Sequence, residues 1–174
     1  SGVEKAAVEQ LVARRLLRLE HWGGVPRVEL THDVLTGVIR ASRDTRKERM
    51  TVRHLAGMTS GLDCTAADDE ATLRRMLMSP DQVGFVLDLP VTAEPGSTYR
   101  YCSPGSHLLA ALLQQAAGVS VLEFARQFLF EPLGISAVRW TPDPGGYQHG
   151  WSDLYLLPRD LAKLGLLYLR DGVW

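Results

Sequence analysis

From Ser79 to Gly172 the sequence sets helix starts and stops at short intervals, and this punctuation restricts the fold more than any other feature. Ser79-Pro80-Asp81-Gln82 offers a capping serine, a proline suited to the first helical position and a glutamine three residues after the cap. It predicts a helix through Phe85, Val86 and Leu87 that stops at Pro90. After the break Ser103-Pro104-Gly105-Ser106, the run Leu108 to Leu113 reads as a buried helix. It ends at Gly118, which suits a left-handed C-cap because it has no Cβ. Ser120-Val121-Leu122-Glu123 is a capping box, and Leu122, Phe124, Ala125, Phe128 and Leu129 give its helix an apolar stripe up to Pro132 and Gly134. Trp140 to Gly150 carries two prolines and three glycines and reads as a loop. Pro158 then opens a last helix whose expected buried face is Leu161, Leu164, Leu167 and Tyr168.

Upstream, Val8, Leu11, Val12, Leu16 and Leu19 recur at helical spacing and predict an amphipathic helix over Lys5 to Leu19. Arg14, Arg15 and Arg18 fall on its solvated side. His21 to Pro26 breaks that pattern, and a short helical stretch is expected around Val34 to Ile39. The charged run Arg43 to Arg49 reads as a solvated turn, and Thr51 as the N-cap of a helix over Val52 to Met58. The expected class is mainly α, with little strand-forming sequence.

At 174 residues and 45% hydrophobic content the chain can build one ordinary core. With 20 acidic residues against 19 basic ones it has no field to attract nucleic acid, so a small neutral ligand is the expected partner. No apolar run reaches the roughly 18 to 20 residues that span a bilayer, and Ser1 to Lys5 does not read as a signal peptide. Cys64 and Cys102 are too few and too far apart for a disulfide framework or a zinc site, so two free thiols are expected. No metal or organic cofactor is implied.

Four blocks in order resemble the serine β-lactamase-like hydrolases, a family of class C β-lactamases, D-Ala-D-Ala carboxypeptidases, esterases and 6-aminohexanoate-dimer hydrolases. They are Met50 to Leu62 (MTVRHLAGMTSGL), Glu94-Pro95-Gly96 through Tyr101-Cys102-Ser103, Ser106 to Gly118 followed by Phe130 to Ile135 (FEPLGI), and Leu157 to Gly165 (LPRDLAKLG). The resemblance implies the helical domain of the family's α+β fold, with residues 46–174 as that domain and residues 1–45 a divergent helical segment. Most of the antiparallel sheet is expected to be missing, together with the downstream Lys-Thr-Gly or His-x-Gly strand. Apolar helix faces would then be exposed and would favour self-association. Family members are often exported; the chain itself assigns no compartment.

Serine acyl transfer needs an activated hydroxyl, a base and donors for the oxyanion. The family draws serine and lysine from a Ser-x-x-Lys helix start, because residues three apart share a helix face. Its tyrosine comes from a Tyr-x-Asn or Tyr-x-Ser motif. A free phenol titrates at about 10, so it serves as a base only where nearby cations favour the phenolate. Here the resemblance gives Tyr101 that acid/base role and Ser103 the substrate-facing position two residues on. Serine in place of asparagine turns the expectation from β-lactams toward an ester or amide. His149 and Trp151 are expected to border the substrate. His54, His107 and Asp160 read as structural, and Cys102 as a small buried side chain rather than a nucleophile.

The departure is that no serine in the chain is followed three residues later by lysine. Lys5 stands before an amphipathic stretch as the motif lysine would, but Gly2 occupies the serine's position. The expected function is therefore a fragment or homologue of a serine hydrolase of small amides or esters, inactive as this chain alone. The alternative is a non-catalytic helical module, or a subunit completing a site with another chain.

Overall fold

A computed structural model describes the backbone of residues 17–22 and 25–30 and, with side chains, residues 44–64 and 70–174. Strands β1 (Leu17–Trp22) and β2 (Val25–Leu30) pair antiparallel, from Leu17 opposite Leu30 to Trp22 opposite Val25. The end of the helix expected over Lys5 to Leu19 is thus strand. The reason lies in the register: Leu19 faces Val28, Arg18 faces Glu29 and Glu20 faces Arg27. Along this register apolar residues oppose apolar ones and acids oppose bases. The remainder of that expected helix, Lys5 included, and the stretch Val34 to Ile39 lie outside the described residues.

The charged run forms a 3₁₀ turn over Thr45–Arg49, capped by the Asp44 carboxylate at 3.0 Å from the Arg46 amide. Thr45, Glu48 and Arg49 are exposed, as expected of a solvated turn, whereas Lys47 is buried with Nζ donating to the Leu87 carbonyl. Helix α1 (Val52–Ala56) follows its Thr51 cap as expected, and His54 completes the capping box by accepting from the Thr51 amide. After α2 (Glu70–Leu77) comes α3 (Gln82–Asp88), whose cap is Asp81 rather than Ser79. The Asp81 carboxylate reaches the Gly84 amide at 2.8 Å, while the Ser79 hydroxyl is turned to the Asp81 backbone.

Helix α4 (Ser103–Ala117) begins one turn earlier than the apolar run suggests. Proline is tolerated in a first turn, so Pro104 sits inside the helix rather than before it. Gly118 closes α4 at φ +69°, the left-handed position expected of it. The capping box at Ser120 opens α5 (Val121–Ala125), which passes through a π turn over Arg126–Phe130. Strands β3 (Val138–Trp140) and β4 (Leu154–Leu156) pair antiparallel around the expected loop, and α6 (Pro158–Leu169) starts at Pro158.

Two cores result. One gathers Met50, Leu55, Met76, Val86, Leu108 and Leu112 between α1, α2, α3 and α4. It also contains Cys64 and Cys102, which form a disulfide with Cα atoms 5.1 Å apart. The expectation of free thiols is wrong because spacing of 38 residues says nothing about proximity once α1 and α4 pack together. The second core is Phe130, Leu133 and Ile135, with Leu164 and Leu167 of α6 packed on it. Leu161 and Tyr168 do not join that face; they are 61% and 89% exposed. At about 100° per residue Leu161 and Tyr168 lie about 60° and 40° from Leu164 on the flank away from Leu167, so the strip of α6 covered by the Phe130 cluster is narrow and ends at Leu164.

Candidate active site

The site grows from the way one segment, Met58–Cys64, grips the chain that leads into α4. Gly61 adopts φ +80°, and a Cβ there would lie 2.2 Å from the Ala93 carbonyl oxygen, so only glycine allows this approach. The Gly61 carbonyl accepts from the Thr92 amide at 2.9 Å, and the Asp63 amide donates to the Pro90 carbonyl at 2.8 Å. Further along, the Gly96 amide donates to the Thr59 carbonyl at 2.8 Å and the Arg100 amide to the Met58 carbonyl at 2.7 Å. Arg100 and Asp63 form an ion pair at 3.7 Å, and Cys102 is crosslinked to Cys64.

At the end of this path two motif residues part. The Tyr101 side chain stands outside the core, 60% exposed, whereas Ser103, the first residue of α4, is buried. Cys102 between them caps the helix, its Sγ accepting from the Gly105 amide at 3.3 Å. One turn further, His107 is completely buried and its Nε2 lies 3.0 Å from Asp143 Oδ2. Burial pushes the His107 imidazole below its ordinary titration range, and the Asp143 carboxylate only partly offsets this. Asp143 in turn accepts from the Tyr147 amide at 2.9 Å, so the pair ties the loop after β3 to α4.

His149 and Trp151 belong to that loop. The His149 amide donates to the Thr141 carbonyl at 3.0 Å, and the Trp140 indole donates to the His149 carbonyl at 2.8 Å. A Cβ on Gly150 would fall 2.1 Å from the Ser106 carbonyl oxygen, so the loop lies directly against the first turns of α4. The rings of His149 and His107 are 5.8 Å apart and those of His149 and Trp151 6.1 Å. His149 Nδ1 sits 2.8 Å from Asp153 Oδ2, a pairing that holds the ring orientation. The His149 Nε2 and the Trp151 Nε1 donor are buried and make no hydrogen bond among the described residues.

The fold therefore brings Ser103, His149 and Trp151 to one end of α4, with Tyr101 on the surface two residues before Ser103. Lys5 lies outside the described residues. A cavity of about 630 Å³ lies elsewhere, lined by Leu112, Gln115, Gly118, Ser120, Glu123 and Tyr147. Its wall runs along α4 from Leu108 to Gly118, and neither Tyr101 nor Ser103 lines it. Among the described residues no cluster of His, Cys, Asp or Glu could hold a metal ion.

The sequence profile of the family described as Beta-lactamase matches residues 6–173. The chain belongs to that family. Penicillin-binding protein 4* of Bacillus subtilis is 26% identical over 139 residues, covering 71% of this chain and 31% of its own. A D-aminopeptidase of Brucella anthropi is 30% identical over 121 residues, covering 64% of this chain and 22% of its own. The chain thus spans under a third of either curated relative. A Bacillus anthracis structure assigned as a 6-aminohexanoate-dimer hydrolase superposes with a TM-score of 0.71 at 19% identity, over 99% of this chain and 46% of that one. This likeness establishes the β-lactamase-like fold, and the family is one of serine hydrolases, as the four sequence blocks imply.

Sequence reasoning missed three partners of the site: Cys64, Asp143 and Asp153. An even number of cysteines, one of them inside the Tyr-x-Ser motif, was the only signal for the first. The aspartates lie in the proline- and glycine-rich loop and its exit, where no periodicity points a side chain anywhere.

Proposed function

We propose that these residues form part of a serine hydrolase that cleaves a small amide or ester through an acyl-enzyme, with Tyr101 as its acid/base group. The observation that carries this reading is Tyr101 itself: a phenol held out of the core at the start of a capped, buried helix, inside the family's Tyr-x-Ser motif. In the reaction a serine oxygen attacks the substrate carbonyl while its proton passes to the tyrosine oxygen. Collapse of the tetrahedral intermediate expels the amine or alcohol, which takes that proton, and water repeats the sequence on the acyl-enzyme. Lys5 would supply a cation favouring the phenolate, and Ser103, His149 and Trp151 would meet the substrate. The two short sheets would belong to a larger antiparallel sheet, with residues 46–174 as the helical domain.

No serine in the chain has lysine three residues on, so these 174 residues offer no Ser-x-x-Lys hydroxyl for the attack. The chain alone is then expected to give no burst with nitrocefin or a p-nitrophenyl ester; a stoichiometric burst with a labelled serine overturns this. In a longer polypeptide that carries a Ser-x-x-Lys helix, Tyr101→Phe should lower kcat by roughly 10²- to 10⁴-fold with little change in KM. Unchanged turnover would remove Tyr101 from the mechanism. The same missing motif favours a second reading, a non-catalytic module or a subunit that completes a site with another chain. A longer polypeptide that binds substrate without turnover would support it.

A further inference from the structure

Tyr101 cannot position itself. With 60% of its side chain in solvent it has little packing to hold it, so its place is inherited from the backbone on either side. On one side the tethers are non-covalent: the hydrogen bond from Arg100 to Met58, and the Arg100–Asp63 pair, which is partly exposed and so contributes little. On the other side is Cys102, bonded to Cys64 at the end of the same Met58–Cys64 segment. Cys102 is both the neighbour of Tyr101 and the N-cap of α4, so its position sets where the helix begins and where the phenol leaves the surface.

We propose that the Cys64–Cys102 crosslink is the device that positions the Tyr101 phenol, so the site is complete only after the two thiols have been oxidised. This rests on the acid/base reading of Tyr101. The oxidation is thiol–disulfide exchange with a low-molecular-weight disulfide: two protein thiols yield one protein disulfide, and the oxidant RSSR leaves as two RSH. Both cysteines are about 1% exposed, and exchange needs a thiolate to reach a sulfur, so the folded chain keeps the bond closed. It acts as a fixed staple rather than a switch. Such bonds form where the compartment is oxidising, and a thiol-rich cytosol would leave the pair open. Neither cysteine belongs to the Phe130 core, so the consequence of opening the bond is local.

The test uses the 174-residue chain with ring-labelled tyrosine, the Tyr101 resonance being assigned through Tyr101→Phe. After equilibration with glutathione disulfide, no thiol should react with iodoacetamide in native buffer, and two should react once the chain is denatured and reduced. In Cys64→Ala/Cys102→Ala the Tyr101 ring resonance should shift. The amides from Arg100 to Ser106 should exchange about tenfold faster or more, while those of Phe130 and Leu133 keep their rates. Chain refolded under reductant should behave like the double variant. An unchanged Tyr101 resonance with unchanged exchange overturns the proposal, as does thiol reactivity in the native oxidised chain. Unfolding of the whole variant, Phe130 included, also overturns it, since the bond would then serve stability at large. Loss of the acid/base role in turnover experiments would leave all of these readings intact, so the two failures are distinguishable.

Discussion

The two cores are built from similar side chains and end up in different situations. The first is closed by four helices, crosslinked through Cys64 and Cys102, and carries most of its apolar residues inward, Leu77 and Met78 at the end of α2 excepted. The second is a small cluster around Phe130 whose covering helix, α6, turns Leu164 and Leu167 inward but leaves Leu161, Tyr168 and Leu169 in solvent. The difference teaches that an apolar helix is not by itself a buried one: α4 has neighbours on several sides, whereas α6 meets the described protein on one. The tyrosine site is built on the closed core, where the backbone can be held to one geometry.

The comparison breaks most readily at the centre of each core. Phe130→Ala should cost about 4 kcal/mol by removing the largest fully buried side chain among the described residues, and hydrogen exchange should show the damage first in the second core. Next is the crosslink: Cys64→Ala/Cys102→Ala should cost about 4 kcal/mol for a loop of 38 residues, confined to the first core and read as faster amide exchange there while the Phe130 and Leu133 amides keep their rates. A third test concerns pH. The folded state protonates His107 below the ordinary value of 6.5, so below that value the unfolded chain holds more protons. Stability is therefore full above 6.5 and declines as pH falls through it toward the folded value. His107→Gln, which keeps a donor for Asp143, should flatten that decline between pH 7 and 5.

Smaller effects sharpen the contrast. Thr51→Ala and Ser120→Ala each remove a capping box and should cost about 1 kcal/mol in urea unfolding, one on each side of the molecule. Tyr168→Ser should leave stability within about 0.5 kcal/mol, since the side chain is 89% exposed. Its effect should instead appear in size-exclusion chromatography, as reduced self-association at high concentration; an unchanged profile would acquit the exposed α6 face.

Much of the helical order was legible because caps, prolines and glycines act locally. Thr51, Gly118, Ser120 and Pro158 each do what their own chemistry dictates, whatever the rest of the chain does. The family was legible too, since its blocks preserve order and spacing. The geometry of the candidate site was legible only in part. Tyr101 and Ser103 came from a motif, but the fact that one faces solvent and the other the core depends on where α4 starts, and that is set by Cys102 and Pro104 acting together.

What the sequence determined by itself is therefore the run of local starts and stops and the ancestry they carry. Tertiary structure alone decided three things: that Leu17–Trp22 is strand, that Cys64 meets Cys102, and that His107 and His149 each take an aspartate partner from the loop. A strand needs a partner, a disulfide needs two Cα atoms within a few ångströms, and a buried imidazole needs an acceptor. For Cys64 and for His107 that partner lies 38 and 36 residues away along the chain, where no local propensity reaches, whereas β2 and Asp153 are near in sequence and only the fold selects the pairing over a helix or a solvated loop.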